Sequence, residues 1–424
     1  MSHNPNQILI VGGGLGGLST ALALGRKGIA VRLLEQSEQI GAIGYGIQMG
    51  PNVFPAFEQL GVADAVRQQS HMPSALLMLD AYSGERLAAV PFDAAFRTWF
   101  SAPYVAIHRV DLHHILLDAC RKLPHVQLDQ SVTVSGFQDL GDRVRVSTAE
   151  GNVIEGAALI GADGLRSIIR SQMHPKDEPR SIGYVAHRTI VPVEAVPKNV
   201  RCDEVMLWAG PAFHIIYYPL RNRTELNIVA VFRTETYAQK NDPEVHKAEL
   251  QATYHNTHPE MQAVLGLMDL SRRWPLADRD PIRHWAKGRV TLLGDSAHAT
   301  LQSLAQGAGM AIEDAVYLAA LLDKANGDIA GAFLQFQQDR VVRTSRVQLE
   351  SRMLWDVYHA EDGIVRDVRR QQYQERKAED YYRCLQWLWN PIEMPTSLRR
   401  HDVQRHVSPE TPERSDLRSR PAAR

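Results

Sequence analysis

The sequence predicts an α/β fold: a parallel-sheet domain interrupted by an inserted, mainly antiparallel β-sheet and followed by C-terminal helices. Three observations predict it. The segment "QILIVGGGLGGLSTALALGRKGIAVRLLEQ" reads as strand, glycine turn, helix and strand, one βαβ unit of about thirty residues. From about Ser181 the texture changes to short strands rich in Val, Ile and Tyr, separated by turn residues such as "GP" and "RNRT". Around "RHWAKGRVTLLGDSAH" the pattern reverts to a buried parallel strand, so the antiparallel sheet is an insertion and the first domain resumes late in the chain.

The elements follow in order. "ILIV" is a continuous apolar run, as a parallel strand covered on both faces requires. "LSTALALGRKG" has helical spacing and closes on Gly28, and "AVRLLE" is the second strand. "VFPAFEQLGVADAVRQQS" keeps helical periodicity. "YVAIHRVDLHHILLDACRKLP" is a strand leading into an amphipathic helix, with Leu112, Ile115, Leu116 and Ala119 on one stripe. The alternation from "VQLDQ" to "GNVIEG" is a meander returning to a buried strand, "GAALIGADG". "YVAHRTIVPV", "EVMLWAG", "FHIIYYPL" and "ELNIVAVFR" are the strands of the insertion. Two long helical patterns follow, "GMAIEDAVYLAALLDKA" and "IAGAFLQFQQDRVVRTSRVQLESRMLWDVYH". These readings assign 1–75, 104–180 and 281–345 to the first domain, 76–103 and 181–280 to the inserted sheet, and 346–400 to C-terminal helices. The charged, Pro-containing stretch 401–424 reads as a disordered tail.

The chain has 424 residues, 44% of them hydrophobic, enough for a large core in two or three domains. A formal net charge of -1 and the lack of a long basic run argue against a nucleic-acid partner. Cys120, Cys202 and Cys384 form neither a CxxC nor a metal-ligand spacing, so no metal site is expected and free thiols in a reducing cytoplasm are. The polar start "MSHNPNQ" and the short "ILIV" are neither signal peptide nor membrane span.

Gly12-x-Gly14-x-x-Gly17 follows an apolar strand and opens a helix, and Glu35 lies about twenty residues on, at the end of the next strand. That context is a dinucleotide-binding, Rossmann-like fingerprint. Gly12 permits the turn, Gly14 lets backbone approach a pyrophosphate, Gly17 lets helix and strand pack closely, and Glu35 accepts from ribose hydroxyls. In "GADGLRSIIR" the carboxylate of Asp163 reads on residue types alone as a cap with a turn glycine. In "GDSAHATLQSLAQGAGMAIEDA", Asp295 ends the strand "VTLLGD" and suits either a polyol or an N-cap. His298 reads as a packed or capping residue. The segment from Gly307 to Met310 starts a helix whose N–H groups suit a ring carbonyl that gains negative charge on reduction.

With these motifs in register, the chain resembles the class A flavoprotein aromatic hydroxylases, of the para-hydroxybenzoate hydroxylase fold. "GGGLGG…E", "GADGLRS" and "GDSAHATLQSLAQGAG" match in order and spacing and bracket nearly the whole chain up to about Arg400. The resemblance implies one non-covalent FAD in a Rossmann-like FAD-binding domain, with the inserted sheet as substrate domain. It implies Gly12, Gly14, Gly17, Glu35 and Gln36 at the adenosine pyrophosphate end, with Val132 beside them. Arg109 falls near the phosphates, and Asp163 on the motif shared by FAD and the nicotinamide nucleotide. Asp295 falls at the ribityl chain, and Gly46, Ile47, Gly307, Ala308 and Gly309 at the isoalloxazine. No second GxGxxG follows a strand, consistent with a family in which NADH or NADPH binds only transiently. Reduced FAD and O2 then give a C4a-hydroperoxide that hydroxylates an electron-rich ring.

Within the family the likeness is greatest to 3-hydroxybenzoate 6-hydroxylases, which form gentisate. Salicylate 1-hydroxylases, which form catechol by decarboxylation, come next, with hydroxylases of pyridine carboxylates as a further alternative. In "GPAFHIIYYPL", His214, Ile216 and Tyr218 share one face of a strand, with His214 and Tyr218 roughly 13 Å apart. Sheet residues satisfied by their neighbours would give the same pattern. The resemblance makes them pocket residues, His214 as base toward a phenol and Tyr218 orienting hydroxyl or carboxylate. Many relatives carry proline where Gln302 stands, whereas 3-hydroxybenzoate 6-hydroxylases carry glutamine, which can both donate and accept. Departures are Ser296 after "GD" and "AHR", with His187 before Arg188, in place of "AYR". A disulfide oxidoreductase would need a CxxC near the flavin; a flavin-binding regulator is the other class. The C-terminal helices and "CLQWLWN" suit a partner chain in a homodimer, or Trp387 and Trp389 pack within the chain.

Overall fold

The computed structural model describes residues 6–40, 44–236 and 242–399; the tail expected at 401–424 lies outside them. Two sheets organise the chain. The first has six strands in the order Ala286–Lys287, Val290–Leu292, Ala158–Gly161, Ile8–Val11, Val31–Leu34 and Val126–Asp129. All neighbours are parallel except the Ala286–Lys287 edge. Its central strands are apolar on both faces because both are covered: Leu15–Arg26, Arg109–Arg121 and Gly307–Asp323 pack around Ile8, Ile10, Val31 and Leu33, and the three-stranded sheet Val134–Asp139, Val144–Thr148 and Val153–Gly156 with the helix Ile168–Met173 packs on Leu9, Val11 and Leu34.

The second sheet has seven strands in the order Trp274–Asp278, Arg180–Pro192, Glu225–Arg233, Phe213–Leu220, Val205–Gly210, Ala75–Asp80 and Arg86–Pro91. It is antiparallel apart from one parallel pair, Val205–Gly210 with Ala75–Asp80. The period of two along Phe213–Leu220 divides its side chains: Phe213, Ile215 and Tyr217 enter one core, and His214, Ile216 and Tyr218 face a cavity. Register carries that face across the sheet. Arg188 pairs with Val229, Val229 with Ile216, Ile216 with Leu207, Leu207 with Met78 and Met78 with Ala88, and all six line the cavity.

Several local readings are revised. "VFPAFEQLGVADAVRQQS" is two helices, Phe54–Leu60 and Ala63–Gln69, because Gly61 caps the first at φ 71°. The buried stripe of Arg109–Arg121 is Leu112, His113, Leu116, Leu117 and Cys120, rotated from the expected one. The rotation buries His113, whose Nε2 bonds the Gly13 carbonyl at 2.9 Å. Asp295 does not end a strand; the strand stops at Leu292 and Asp295 opens the short helix Asp295–His298. The division drawn at residues 345 and 346 falls inside the unbroken helix Ile329–Tyr358.

That helix is tied to Gly307–Asp323 by a buried ionic network. Arg340 donates to Glu313 at 2.8 Å and to Asp314 at 2.7 Å, Arg343 donates to Glu313 at 2.9 Å, and His298 pairs with Asp314 at 2.6 Å. Asn52 donates to Glu313 at 2.7 Å and to Gln306 at 3.0 Å. Burial raises both carboxyls, but Arg340 and Arg343 at Glu313, and His298 with Arg340 at Asp314, hold both below their usual range. His298 is thus a structural residue, and the network fixes the start of the helix at Gly307.

Candidate active site

The glycine turn is built by close contacts. Gly12 sits at φ 105°, and a Cβ on Gly17 would lie 1.9 Å from the Gly12 carbonyl oxygen. A Cβ on Gly14 would meet nothing within 4 Å, and the helix it precedes has no side-chain cap. Backbone N–H groups therefore face open space at a positive helix end, as a pyrophosphate requires. Glu35 closes the turn by accepting from the Gly13 N–H at 2.6 Å and the Ser37 N–H at 2.9 Å, and its carbonyl accepts from Val132 at 2.9 Å. Gln36 is exposed beside it. Arg109 is exposed at the start of its helix, with its N–H on the Tyr45 carbonyl at 2.9 Å.

Asp163 behaves as its residue type alone suggests. It accepts from the Ser167 hydroxyl at 2.5 Å and from the Ile168 N–H at 2.8 Å, so its carboxylate serves the helix Ile168–Met173. Asp295 differs: it makes no cap, is exposed and lines the cavity. The helix Gly307–Asp323 also begins without a side-chain cap, and Gly307 and Ala308 line the same cavity. Gly309 packs tightly, since a Cβ there would be 2.9 Å from Val53. Gly46 and Ile47 form the opposite lip, with the Gly46 N–H on Asn227 Oδ1 at 2.8 Å. Two uncapped helix ends, an unbonded carboxylate and a lip where a Cβ would strike Tyr218 at 2.6 Å are features that fit a flavin dinucleotide.

The cavity holds about 720 Å³ and brings together His214, Tyr218 and Gln302. Burial pushes the Tyr218 hydroxyl up to about 12, with Arg188 and Gln48 acting in the other direction. Tyr104 donates to the Gln48 amide oxygen at 2.7 Å. Burial pushes His214 down to about 3, so the imidazole is neutral. Its Nδ1 meets His359 Nε2 at 2.8 Å, which leaves Nε2 for the cavity. Gln302 lies on the turn Gln302–Leu304; its amide oxygen accepts from Arg188 at 2.8 Å and its amide nitrogen is buried without a partner.

Arg188 has no carboxylate partner among the described residues; its polar neighbours are Gln302 and the face of Tyr45, 5.8 Å away. Burial lowers its affinity for a proton, opposed by Tyr218. Sequence reasoning noted Arg188 only as part of "AHR" and missed Gln48, Tyr104, Tyr358 and His359 in the cavity or behind it. The signal for Arg188 was its strand parity, opposite to that of His187. His187 points away from the cavity and stacks on Phe232 at 6.0 Å. For His359, 145 residues from His214, no sequence signal exists.

Comparison with known proteins shows the family. A family described as "FAD binding domain" matches residues 6–335. A 3-hydroxybenzoate 6-hydroxylase of Polaromonas naphthalenivorans (strain CJ2) is 40% identical over 92% of this chain and 98% of its own. One from Klebsiella oxytoca is 38% identical over 90% and 96%. Among solved structures, Klebsiella pneumoniae HpxO complexed with FAD and uric acid superposes with a TM-score of 0.81 at 25% identity, covering 92% of this chain and 98% of that one.

Proposed function

The chain belongs to the FAD binding domain family, and from that membership we propose that it is a 3-hydroxybenzoate 6-hydroxylase. It is an FAD-dependent monooxygenase, so the substrate and the residues that hold it are what the proposal adds. When bound, FAD reduced by NAD(P)H activates O2 and supplies the electrophilic oxygen atom.

Arg188 carries the reading. A half-buried cation on a cavity wall is costly unless an anion meets it, and no carboxylate of the described protein does. A substrate carboxylate supplies that anion, with the free Gln302 amide N–H as a second donor. The phenol then extends toward His214, whose Nε2 takes the phenolic proton. Negative charge on that oxygen enriches the ring carbon para to it, which in 3-hydroxybenzoate is C6. Tyr218, protonated throughout, donates to the ring's oxygen substituents. Apolar Ile216, Leu207, Met78 and Val229 flank the ring and exclude water. Asp295 would hold the ribityl hydroxyls, and the Gly307–Gly309 N–H groups a flavin carbonyl. Arg109 and the Gly14 turn would hold the phosphates, Glu35, Gln36 and Val132 the adenosine end, and Asp163 the loop between cofactor and nicotinamide nucleotide.

Free thiols at Cys120, Cys202 and Cys384 support a cytoplasmic setting. Among the described residues no helix is long and apolar enough to cross a membrane. Exposed Leu349, Met353, Ile364 and Val365 on the C-terminal helices offer a face for a second copy in a homodimer. Trp389 instead packs inside the chain against Phe92, Phe96, Phe100 and Tyr104.

The test is product analysis after turnover with 3-hydroxybenzoate, salicylate and 6-hydroxynicotinate side by side. Gentisate from the first supports the proposal. Catechol from the second, or a hydroxylated pyridine from the third, with no turnover of 3-hydroxybenzoate, refutes it.

A further inference from the structure

We propose that His359 is a positioning residue that accepts the His214 Nδ1–H and so holds His214 in the tautomer whose Nε2 can take the substrate's proton. The inference rests on the proposed base role of His214 and identifies what that role requires of its neighbour.

Two neutral imidazoles meeting nitrogen to nitrogen share one hydrogen. His214 Nδ1 and His359 Nε2 are 2.8 Å apart, the rings stack at 5.0 Å, and both residues are buried. If His359 Nε2 carried the hydrogen, His214 would hold its own on Nε2 and present a donor to the cavity. Protonation of His214 would then set two N–H groups against each other. Only when His359 Nε2 is a bare acceptor can His214 gain a proton. In that step the phenol O–H breaks, an N–H forms at His214 Nε2, and the Nδ1–H strengthens its bond to His359. No electron changes hands, and the proton returns to solvent when product leaves.

The surroundings keep His359 in this passive role. It ends the helix Ile329–Tyr358, and its carbonyl accepts weakly from the Ala212 N–H at 3.5 Å, just before the His214 strand. Its ring is stacked on Tyr184 at 4.9 Å and edged by Trp355 at 4.8 Å, which fixes its plane. The charged groups acting on the pair are Arg369, from the helix Ile364–Gln374, and Arg233, at the end of Glu225–Arg233, whose own partner is the exposed Glu361. Tyr358 packs against His214 at 5.8 Å and gives its hydroxyl to the Ser303 carbonyl. No carboxylate contacts either ring among the described residues. Burial, His214 and the two arginines push His359 down to about 2, so it accepts a hydrogen bond without taking the proton. A carboxylate there would charge His214 before substrate arrived; a neutral acceptor aims the base and leaves it free.

The experiment compares His359→Gln, which keeps an acceptor oxygen, with His359→Phe, which keeps ring volume and removes it. Both are prepared as FAD-loaded protein with cofactor content and Tm recorded. Long-range 1H–15N correlations of the substrate-free holoprotein read the His214 tautomer, independent of the substrate assignment. The expected result is Nδ1–H in wild type and in His359→Gln, and loss of that preference in His359→Phe. The hydroxylation rate should fall about a hundredfold in His359→Phe and be restored in His359→Gln, the lower end of what a general base contributes. An Nε2–H tautomer in wild type overturns the inference, as does equal impairment of both variants or none in either. Should His359→Phe not fold, the wild-type tautomer alone decides. Absence of gentisate from wild type with the Nδ1–H tautomer present would refute the substrate assignment and leave the pairing intact.

Discussion

Arg188 and Gln302, 114 residues apart, are joined by a 2.8 Å hydrogen bond from guanidinium to amide oxygen, and the Gln302 amide nitrogen is buried with no partner. The pair leaves one cation and one N–H unsatisfied on a cavity wall, a combination that a carboxylate can satisfy. Replacing Gln302 by Ala or Pro should therefore disturb hydroxylation more than flavin binding. Removing one hydrogen-bonding group at a charged partner costs about 1.5–3 kcal/mol, so KM for 3-hydroxybenzoate should rise roughly ten- to a hundredfold. FAD content and flavin absorbance should stay as in wild type. Unchanged turnover in both variants would remove Gln302 from the site.

Arg188→Met isolates the charge. Binding of 3-hydroxybenzoate to FAD-loaded protein should weaken by about two orders of magnitude, in line with loss of a charge-assisted pair. The neutral amide 3-hydroxybenzamide should bind wild type poorly and should bind the variant about as well as 3-hydroxybenzoate does. Without ligand the variant should melt higher than wild type, because a half-buried cation with no anion costs more than a thioether in its place. A lower Tm with unchanged carboxylate affinity would show that Arg188 is structural.

How much of this was legible beforehand follows from the range of each interaction. The Gly12 and Gly17 contacts were, because a βαβ turn is local and its steric demands depend on residues five apart. The shared face of His214 and Tyr218 was, because strand parity is set by the backbone alone. Asp295 was read at the end of a strand that stops three residues earlier, since an apolar run shows no boundary when the next turn is also buried. The partners of these groups were not legible. Arg188 reaches the site through register across two neighbouring strands, and His359 through the docking of a helix end on the sheet. Neither relationship has a period in the sequence.

Stability should depend on pH most strongly through three buried histidines, with burial lowering His71, His108 and His113 in the same direction. Burial is the largest cause in each case and pushes His187 down to about 4, His214 to about 3 and His359 to about 2. A histidine whose folded pKa is depressed stays neutral in the native chain while the unfolded chain takes up a proton below about 6.5. The stabilisation is present above that pH and is lost as pH falls. Three such groups alone give a limiting slope of about 4 kcal/mol per pH unit between roughly pH 5.5 and 5. Denaturant unfolding at saturating FAD, stepped from pH 7.5 to 4.5, should show this loss before carboxylates titrate. His359→Gln should remove one group's share, at most about 1.4 kcal/mol per pH unit. A flat profile down to pH 5 would mean that the histidines are solvated or charged in the native protein.

The two glycines of the turn separate folding from cofactor binding. Gly17→Ala places a Cβ 1.9 Å from the Gly12 carbonyl oxygen, a contact that only backbone movement can relieve. It should cost more than 4 kcal/mol and give little folded protein with or without FAD. Gly14 has φ -74°, which alanine adopts without strain, and a Cβ there meets no protein atom within 4 Å. Gly14→Ala should thus leave the apoprotein as stable as wild type, or more stable by about 0.4–1 kcal/mol. The added methyl would stand where backbone N–H groups face a pyrophosphate, so FAD affinity should fall at least tenfold. Apoprotein Tm and a flavin-fluorescence titration read the two effects separately. Normal FAD affinity in Gly14→Ala would place the pyrophosphate elsewhere than at this helix end.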